Sequence, residues 1–175
     1  MLNNKITLIA ASLLFFSGTT TAQDCWPDYI ISTTPLERFV IDEGIVLDAF
    51  SGLEWTRCSF GQTFKNGSCE GVAKEYLTWK DALVDITAIN EAGHLNHNDW
   101  RLPNLNELST LVERQCFDPA INLDAFPDTA SNALFTSTPN VTGSVKEGRY
   151  IYMADGAEFA PAVSLTLNIK LTRDR

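Results

Sequence analysis

Residues 98–108 read Asn98-Asp99-Trp100-Arg101-Leu102-Pro103-Asn104-Leu105-Asn106-Glu107-Leu108. The stretch holds a large aromatic, a cation, a proline-fixed approach and the start of an amphipathic helix. Pro103 restricts Leu102 to extended backbone. Asn104 then offers a side-chain cap, and Glu107 three residues on is the reciprocal partner of a capping box. The Glu107 carboxylate is also placed to turn back onto Arg101, so that one group serves both the helix start and the guanidinium. Trp100, Arg101, Asn104 and Glu107 are therefore read as structural, and the stretch carries no catalytic apparatus.

Outward from this point, the second helix is expected to run from Asn104 to near Gln115, burying Leu105, Leu108, Leu111 and Val112. Upstream, Thr78 caps a first helix over 78–92 with Asp81 as its partner, and Gly93 supplies the left-handed stop. Trp79, Leu83, Ile86 and Ile89, with Ala82, form its apolar stripe. Before the helices lie short strands at 39–41, 45–47 and 53–57, with Leu53 and Trp55 facing the core. After them comes a long irregular stretch marked by Asp118-Pro119 and Phe126-Pro127. Further strands follow at 134–138, 149–154, 157–159 and 163–172, with Asp155-Gly156 as a hairpin turn. In the last of these, Leu165, Leu167, Ile169 and Leu171 alternate with Thr166, Asn168, Lys170 and Thr172, the pattern of a half-buried strand. It is expected to pair with an early strand, since both would otherwise leave open edges. Strands, two helices, a long loop and strands again predict an α+β fold, with helices packed on a mostly antiparallel sheet.

Residues 1–22 read as a signal peptide. Lys5 precedes an apolar run over 6–16, and small residues at Thr20 and Ala22 suit cleavage after Ala22. That run is short for a membrane span, and no second long apolar stretch follows it. The mature chain would hold 153 of the 175 residues, as an arm over 23–38 and one domain over 39–175, and losing Lys5 takes the formal charge from −9 to −10. Such a domain repels nucleic acid and anionic lipid. Trp26, in the arm, is read as covering a sheet edge. Cys25, Cys58, Cys69 and Cys116 all fall in the exported part, and an even count there reads as disulfides. Three pairings are possible. The Gly61 and Asn66-Gly67-Ser68 turns bring Cys58 to Cys69, which leaves Cys25 for Cys116. On the loop-entropy account these closures contribute roughly 3 and 4–5 kcal/mol. A four-cysteine zinc site is disfavoured, as there is no close Cys-x-x-Cys pair.

Several pieces together resemble the Lcl C-terminal domain family, a bacterial domain of unknown function named from the end of a collagen-like adhesin. They are Asp48 to Cys58 (DAFSGLEWTRC), Gly61-Gln62 with Cys69-Glu70-Gly71, Trp79 with Ala82-Leu83, and Asp99 to Leu108 (DWRLPNLNEL). Pro119-Ala120-Ile121-Asn122 followed by Phe126-Pro127, and the Asp155-Gly156 hairpin, extend the match over nearly all of the mature chain. The resemblance implies a C-type-lectin-like fold and a bacterial host, in which the sequons at Asn66 and Asn140 carry no meaning. The chain departs from the family at Leu134-Phe135-Thr136-Ser137, where a tryptophan is usual. It departs again at Ile169-Lys170-Leu171-Thr172-Arg173, where Arg-Leu-Val-Arg is usual.

The residues that attract functional attention each have a plainer reading. A calcium-dependent sugar site needs converging oxygens; Asn96, Asn98, Asp99, Asp124 and Asp128 are the candidates, and turn or cap duty is the preferred role for them. Calcium is thus a possible cofactor, and no metal ligand or other cofactor is assigned. His94 and His97 with Asp99 sketch a metal or acid–base site but lack helical geometry, and an exposed loop is preferred. No nucleophile elbow occurs and the cysteines are committed, so no catalytic residue is assigned. The chain is read as an exported, non-enzymatic binding module, periplasmic or at the cell surface, for a glycan or a surface protein. Contacts are expected from the loop over 128–150, at Asn132, Asn140, Glu147 and Tyr150. The collagen-like relative suggests sulfated polysaccharide, but the −10 charge favours a neutral sugar, a protein or a cation-bridged ligand. The alternative is a structural or assembly component of the envelope or a surface appendage.

Overall fold

The computed structural model describes residues 23–141, 147–159 and 166–175. The expected leader at 1–22, residues 163–165 of the last expected strand and part of the second sequon lie outside them. The strands are β1 (Asp24–Cys25), β2 (Phe39–Asp42), β3 (Ile45–Asp48), β4 (Leu53–Thr56), β5 (Thr63–Lys65) and β6 (Ser68–Glu70). The helices α1 (Trp79–Glu91) and α2 (Leu105–Ser109) follow, then β7 (Cys116–Phe117), β8 (Ala133–Asn140), β9 (Glu147–Tyr152), β10 (Ala157–Phe159) and β11 (Thr172–Asp174). A four-stranded sheet has the order β11-β4-β3-β2 and a three-stranded sheet the order β10-β9-β8, while β1-β7 and β5-β6 are two-stranded. All these ladders are antiparallel. The α+β class is as expected, and so are both disulfides, Cys25–Cys116 and Cys58–Cys69.

The closing strand does pair with an early one, Thr172 lying opposite Trp55. What fixes it there is the stretch over 98–108. The N–H of Arg101 donates to the Thr172 carbonyl (2.9 Å) and the N–H of Thr172 to that of Arg101 (3.0 Å). The Arg101 guanidinium donates to both Glu107 oxygens (2.8 and 3.1 Å) and to Asp174 (3.0 Å). The capping box forms in full, with the Asn104 N–H donating to Glu107 (2.7 Å) and the Glu107 N–H to the Asn104 side chain (2.9 Å). Asn90 of α1 holds Trp100 from the other side, accepting its N–H and donating to its carbonyl, each at 2.8 Å. Asp99 pairs with Arg173.

Thr78 caps α1 by accepting from the Asp81 N–H (3.1 Å). Ala82 and Ile89 are buried and Trp79 and Ile86 half-buried against one of two core clusters, but Leu83 is 39% exposed. The expected stripe is one residue too wide. Trp79 sits between helix and sheet, donating its indole N–H to the Thr136 carbonyl (2.7 Å). Its ring lies so close to Gly148 that a Cβ there would meet it at 2.3 Å. The hairpin between β9 and β10 turns at Gly156 (φ +73), as expected.

Two elements differ from expectation. The second helix ends at Ser109, far short of Gln115, although Leu111 and Val112 are buried as anticipated. Beyond it the carbonyls are taken from outside, Thr110 by the Arg38 guanidinium (2.9 Å) and Val112 by the Thr33 hydroxyl (2.9 Å). Val112 also bridges to Ile121. These bonds compete with further helical turns. The terminal segment, in turn, is not half-buried: 167–172 is buried throughout, on both faces. Its apolar residues join the α1-side cluster, and its polar residues meet backbone carbonyls instead of water. Asn168 donates to Lys74 (2.9 Å), Thr172 to Glu54 (2.9 Å), and Lys170 to Arg57 (2.8 Å) and Thr56 (3.3 Å).

Two buried charges follow. The Glu113 carboxylate gathers the arm, accepting from the Ser32 hydroxyl (2.6 Å) and from the N–H groups of Thr33 (3.0 Å), Thr34 (2.8 Å) and Gln115 (2.8 Å). Burial opposes its charge, yet these donors outweigh burial and hold its pKa at about 2. Lys170 is fully buried with its amine 5.0 Å from the Phe126 ring centre. Burial, then the nearby Arg57, push its pKa down to about 7.

Glu113 is deprotonated more readily folded than unfolded, so its contribution is complete above its ordinary value of 4.5 and lost as pH falls toward about 2. Glu113→Gln should lower unfolding free energy at neutral pH by on the order of 3 kcal/mol, with the gap closing in that acid window. Lys170 destabilises the fold where Glu113 stabilises it, but its pH slope has the same sign: the unfolded chain binds more protons between pH of about 7 and 10.5, so stability rises with pH there. Urea midpoints of wild type and Lys170→Met at pH 7 and near pH 9.5 test this. The rise should be largely absent from the variant.

Candidate functional site

Arg57, directly after β4, is buried and organises one end of the molecule. Its main-chain N–H donates to Gly44 (2.9 Å), and its guanidinium donates to the carbonyls of Ala125 (2.9 Å), Asp124 (2.9 Å) and Glu43 (3.3 Å). The same group lies 4.2 Å from the centre of the Phe64 ring, a cation–π geometry. Burial pushes its pKa down and the Glu43 charge opposes that. The tip of the β2–β3 hairpin, the turn at 124–125 and strand β5 are thereby held together. The Cys58–Cys69 disulfide closes the β5–β6 hairpin onto the same place.

These elements frame a cleft of about 360 Å³ whose walls include Glu43, Ser59, Phe60, Gln62, Phe64 and His94. His94 follows the Gly93 helix stop and is half-buried, its ring edge-on to Phe60 at 5.7 Å and to Trp100 at 6.2 Å. Burial lowers its pKa, so at neutral pH the imidazole is uncharged and offers one donor and one acceptor. Among the described residues, neither the His94 ring nitrogens nor the Glu43 carboxylate has a hydrogen-bond or ion-pair partner, and Gln62 makes only a long contact to Cys69 (3.5 Å). Phe60 and His94 also border a second cleft of about 300 Å³, where Lys74 pairs with Asp85. The Tyr76 hydroxyl donates to the same Asp85 (2.6 Å), so the charge there is already satisfied.

Rings beside uncommitted donors and acceptors suit a ligand with an apolar face and a rim of hydroxyls. A third opening, of about 610 Å³, lies between Arg38, Phe50 and Arg114. Arg38 is fully engaged there by the buried Asp48 carboxylate (2.5 and 2.6 Å).

Of the residues singled out from sequence, His94 lines this cleft, whereas Asn132, Asn140, Glu147 and Tyr150 do not. In the stretch over 128–150, residues 133–140 form β8 and 147–150 begin β9, so these are strand and not loop, while 142–146 lie outside the described residues. Asn132 donates to Asn168 (3.2 Å), Asn140 and Glu147 face one another across the β8–β9 register, and Tyr150 is buried and stacked on Phe159 at 5.9 Å. Asp128 accepts from the Ser68 hydroxyl and the Cys69 N–H, each at 2.8 Å, so it ties down the distant strand β6 instead of capping a local turn. No group of three or more His, Cys, Asp or Glu side chains comes together among the described residues. His94 and His97 are half-buried against Trp100, not in an exposed loop. Trp55 and Trp100 are core, while Trp26 is 54% exposed and edge-on to Tyr29. Sequence reasoning missed Arg57 and Phe64. The available signal was the arginine beside a disulfide cysteine, which marks a charge that folding must bury.

The family model described as the Lcl C-terminal domain matches residues 44–173. No curated protein and no solved structure matches the chain.

Burial of His94 makes a direct prediction for NMR titration. Its imidazole should titrate below the ordinary value of 6.5, and Phe60→Ala, by admitting water, should bring it back toward that value.

Proposed function

The chain belongs to the Lcl C-terminal domain family, and from that premise we propose that it is an exported, non-enzymatic module binding a neutral glycan in the Arg57-framed cleft. The observation that carries this reading is the pairing of Phe60 and Phe64 with the uncommitted Glu43 and His94 groups. An aromatic ring covers the apolar face of a sugar, and neutral imidazole and carboxylate bond its hydroxyls. A rigid cleft limits the ordering cost of binding. Export is supported by two disulfides with no free thiol among the described residues. No described helix is long and apolar enough to cross a membrane. A C-type-lectin-like arrangement is part of the proposal, and the pairing of the closing strand β11 with β4 supports it.

The −10 charge of the mature chain argues for an uncharged sugar over a sulfated one. The alternative, a component of envelope or appendage assembly, draws support from the uncovered edge of β2.

A glycan array on the exported protein, run with and without calcium, tests the binding reading. Binding to neutral glycans should appear in both conditions and fall at least tenfold in Glu43→Gln and in Phe64→Ala, while both variants keep the wild-type far-UV spectrum. Silence under both conditions would remove the glycan reading.

A further inference from the structure

Strand β2 ends the four-stranded sheet, and among the described residues no strand pairs with its outer side. The register fixes which main-chain groups face out. Ala49 donates to the Arg38 carbonyl (3.0 Å), and Asp42 lies opposite Ile45 across the Glu43-Gly44 turn. In an antiparallel ladder such bonded pairs alternate, so Arg38, Val40 and Asp42 bond β3 while Phe39 and Ile41 turn their main-chain groups outward. The Phe39 N–H is already taken by Leu36. The Ile41 N–H and C=O remain, with the Phe39 carbonyl beside them.

The side chains around this edge are apolar and under-covered. Val40 is 57% exposed, Ile41 40% and Leu36 40%. Ile41 is on the same face as the buried Phe39, so a strand laid alongside would extend the core over it. The edge has no lysine, proline or bulge to blunt it. Its charges are of one sign. Glu37, Asp42 and Glu43 flank the strand, all exposed, and none has an ion pair among the described residues. The nearby cation, Arg38, is engaged by Asp48.

We propose that β2 is a docking edge for an extended segment of another exported protein in which apolar residues alternate with lysine or arginine. Main-chain bonds to Ile41 supply register, the apolar residues cover Ile41 on the Phe39 face, and the cations, on the opposite face shared by Val40 and Asp42, meet the flanking carboxylates. The same carboxylates repel a second copy of this edge and so disfavour self-pairing. The site is independent of the glycan cleft except for Glu43, and its test uses a different readout.

The probe is a synthetic peptide of sequence Lys-Val-Lys-Ile-Lys-Val-Lys, compared with the peptide carrying glutamate in place of lysine. Isothermal titration with the exported protein should show the basic peptide binding at least tenfold more tightly at low salt, with the difference shrinking as salt is added. Amide exchange should slow at Ile41. Ile41→Pro removes only an outward N–H, which an edge strand tolerates, and should abolish binding. Should that variant fail to fold, Glu37→Lys with Asp42→Lys should reverse the preference toward the acidic peptide. Equal binding of both peptides, no binding of either, binding unchanged in a folded Ile41→Pro variant, or a concentration-dependent dimer of the free protein broken by that substitution would each overturn the proposal.

Discussion

The Glu107 carboxylate is the constraint through which the rest of the fold is held. It completes the cap of α2 through the Asn104 N–H, and it grips Arg101, whose backbone exchanges two hydrogen bonds with Thr172. Helix start, extended approach and closing strand are thus one unit. Removing the carboxylate alone would leave an orphan N–H at the helix start and a guanidinium held only by Asp174 beside the final strand. Pairing of β11 with β4 in turn closes the sheet that carries Arg57 and the β2–β3 hairpin. The motif most legible in the sequence therefore lies at one end of a chain of dependence, and the candidate site lies at the other.

Legibility followed the range of the interaction. The capping box, the Thr78 cap and the Cys58–Cys69 closure involve partners close in sequence, and each was read correctly. Pairing of β11 with β4 spans most of the chain, yet two strongly patterned strands in need of partners implied it. Glu113 was illegible because its donors at Ser32, Thr33 and Thr34 lie about eighty residues upstream and look like arm polarity. The long second helix failed for a related reason: apolar spacing placed Leu111 and Val112 in the core but could not reveal that Arg38 and Thr33 take the carbonyls beside them.

The segment over 167–172 shows a limit of alternation itself. A period of two says that successive side chains meet different surroundings, and water is only the commonest second environment. Here Asn168, Lys170 and Thr172 point into a layer of backbone carbonyls. Thr and Asn give up little by this exchange. Lys170 gives up a great deal, since it meets carbonyls and the Phe126 ring but no carboxylate, with Arg57 adding like charge. An arginine here would make the same demand more strongly, so the lysine, which can shed its proton, is the milder occupant.

Charge then decides what the surface admits. Arg57 fixes the Glu43-Gly44 tip by two backbone contacts while leaving the Glu43 carboxylate uncommitted. Asp42, one residue earlier, closes the open edge. One short hairpin thus presents acid to the cleft on one side and to the strand edge on the other. In a chain of formal charge −9 these carboxylates, on the readings proposed above, act mainly by exclusion: they turn away polyanions and copies of the same edge. The two proposals, a neutral sugar ring for the cleft and a basic strand for the edge, are the ligands such a charge pattern leaves eligible. Selectivity by exclusion needs no large affinity at either place. It suits a small domain whose fold already commits most of its polar groups to holding itself together.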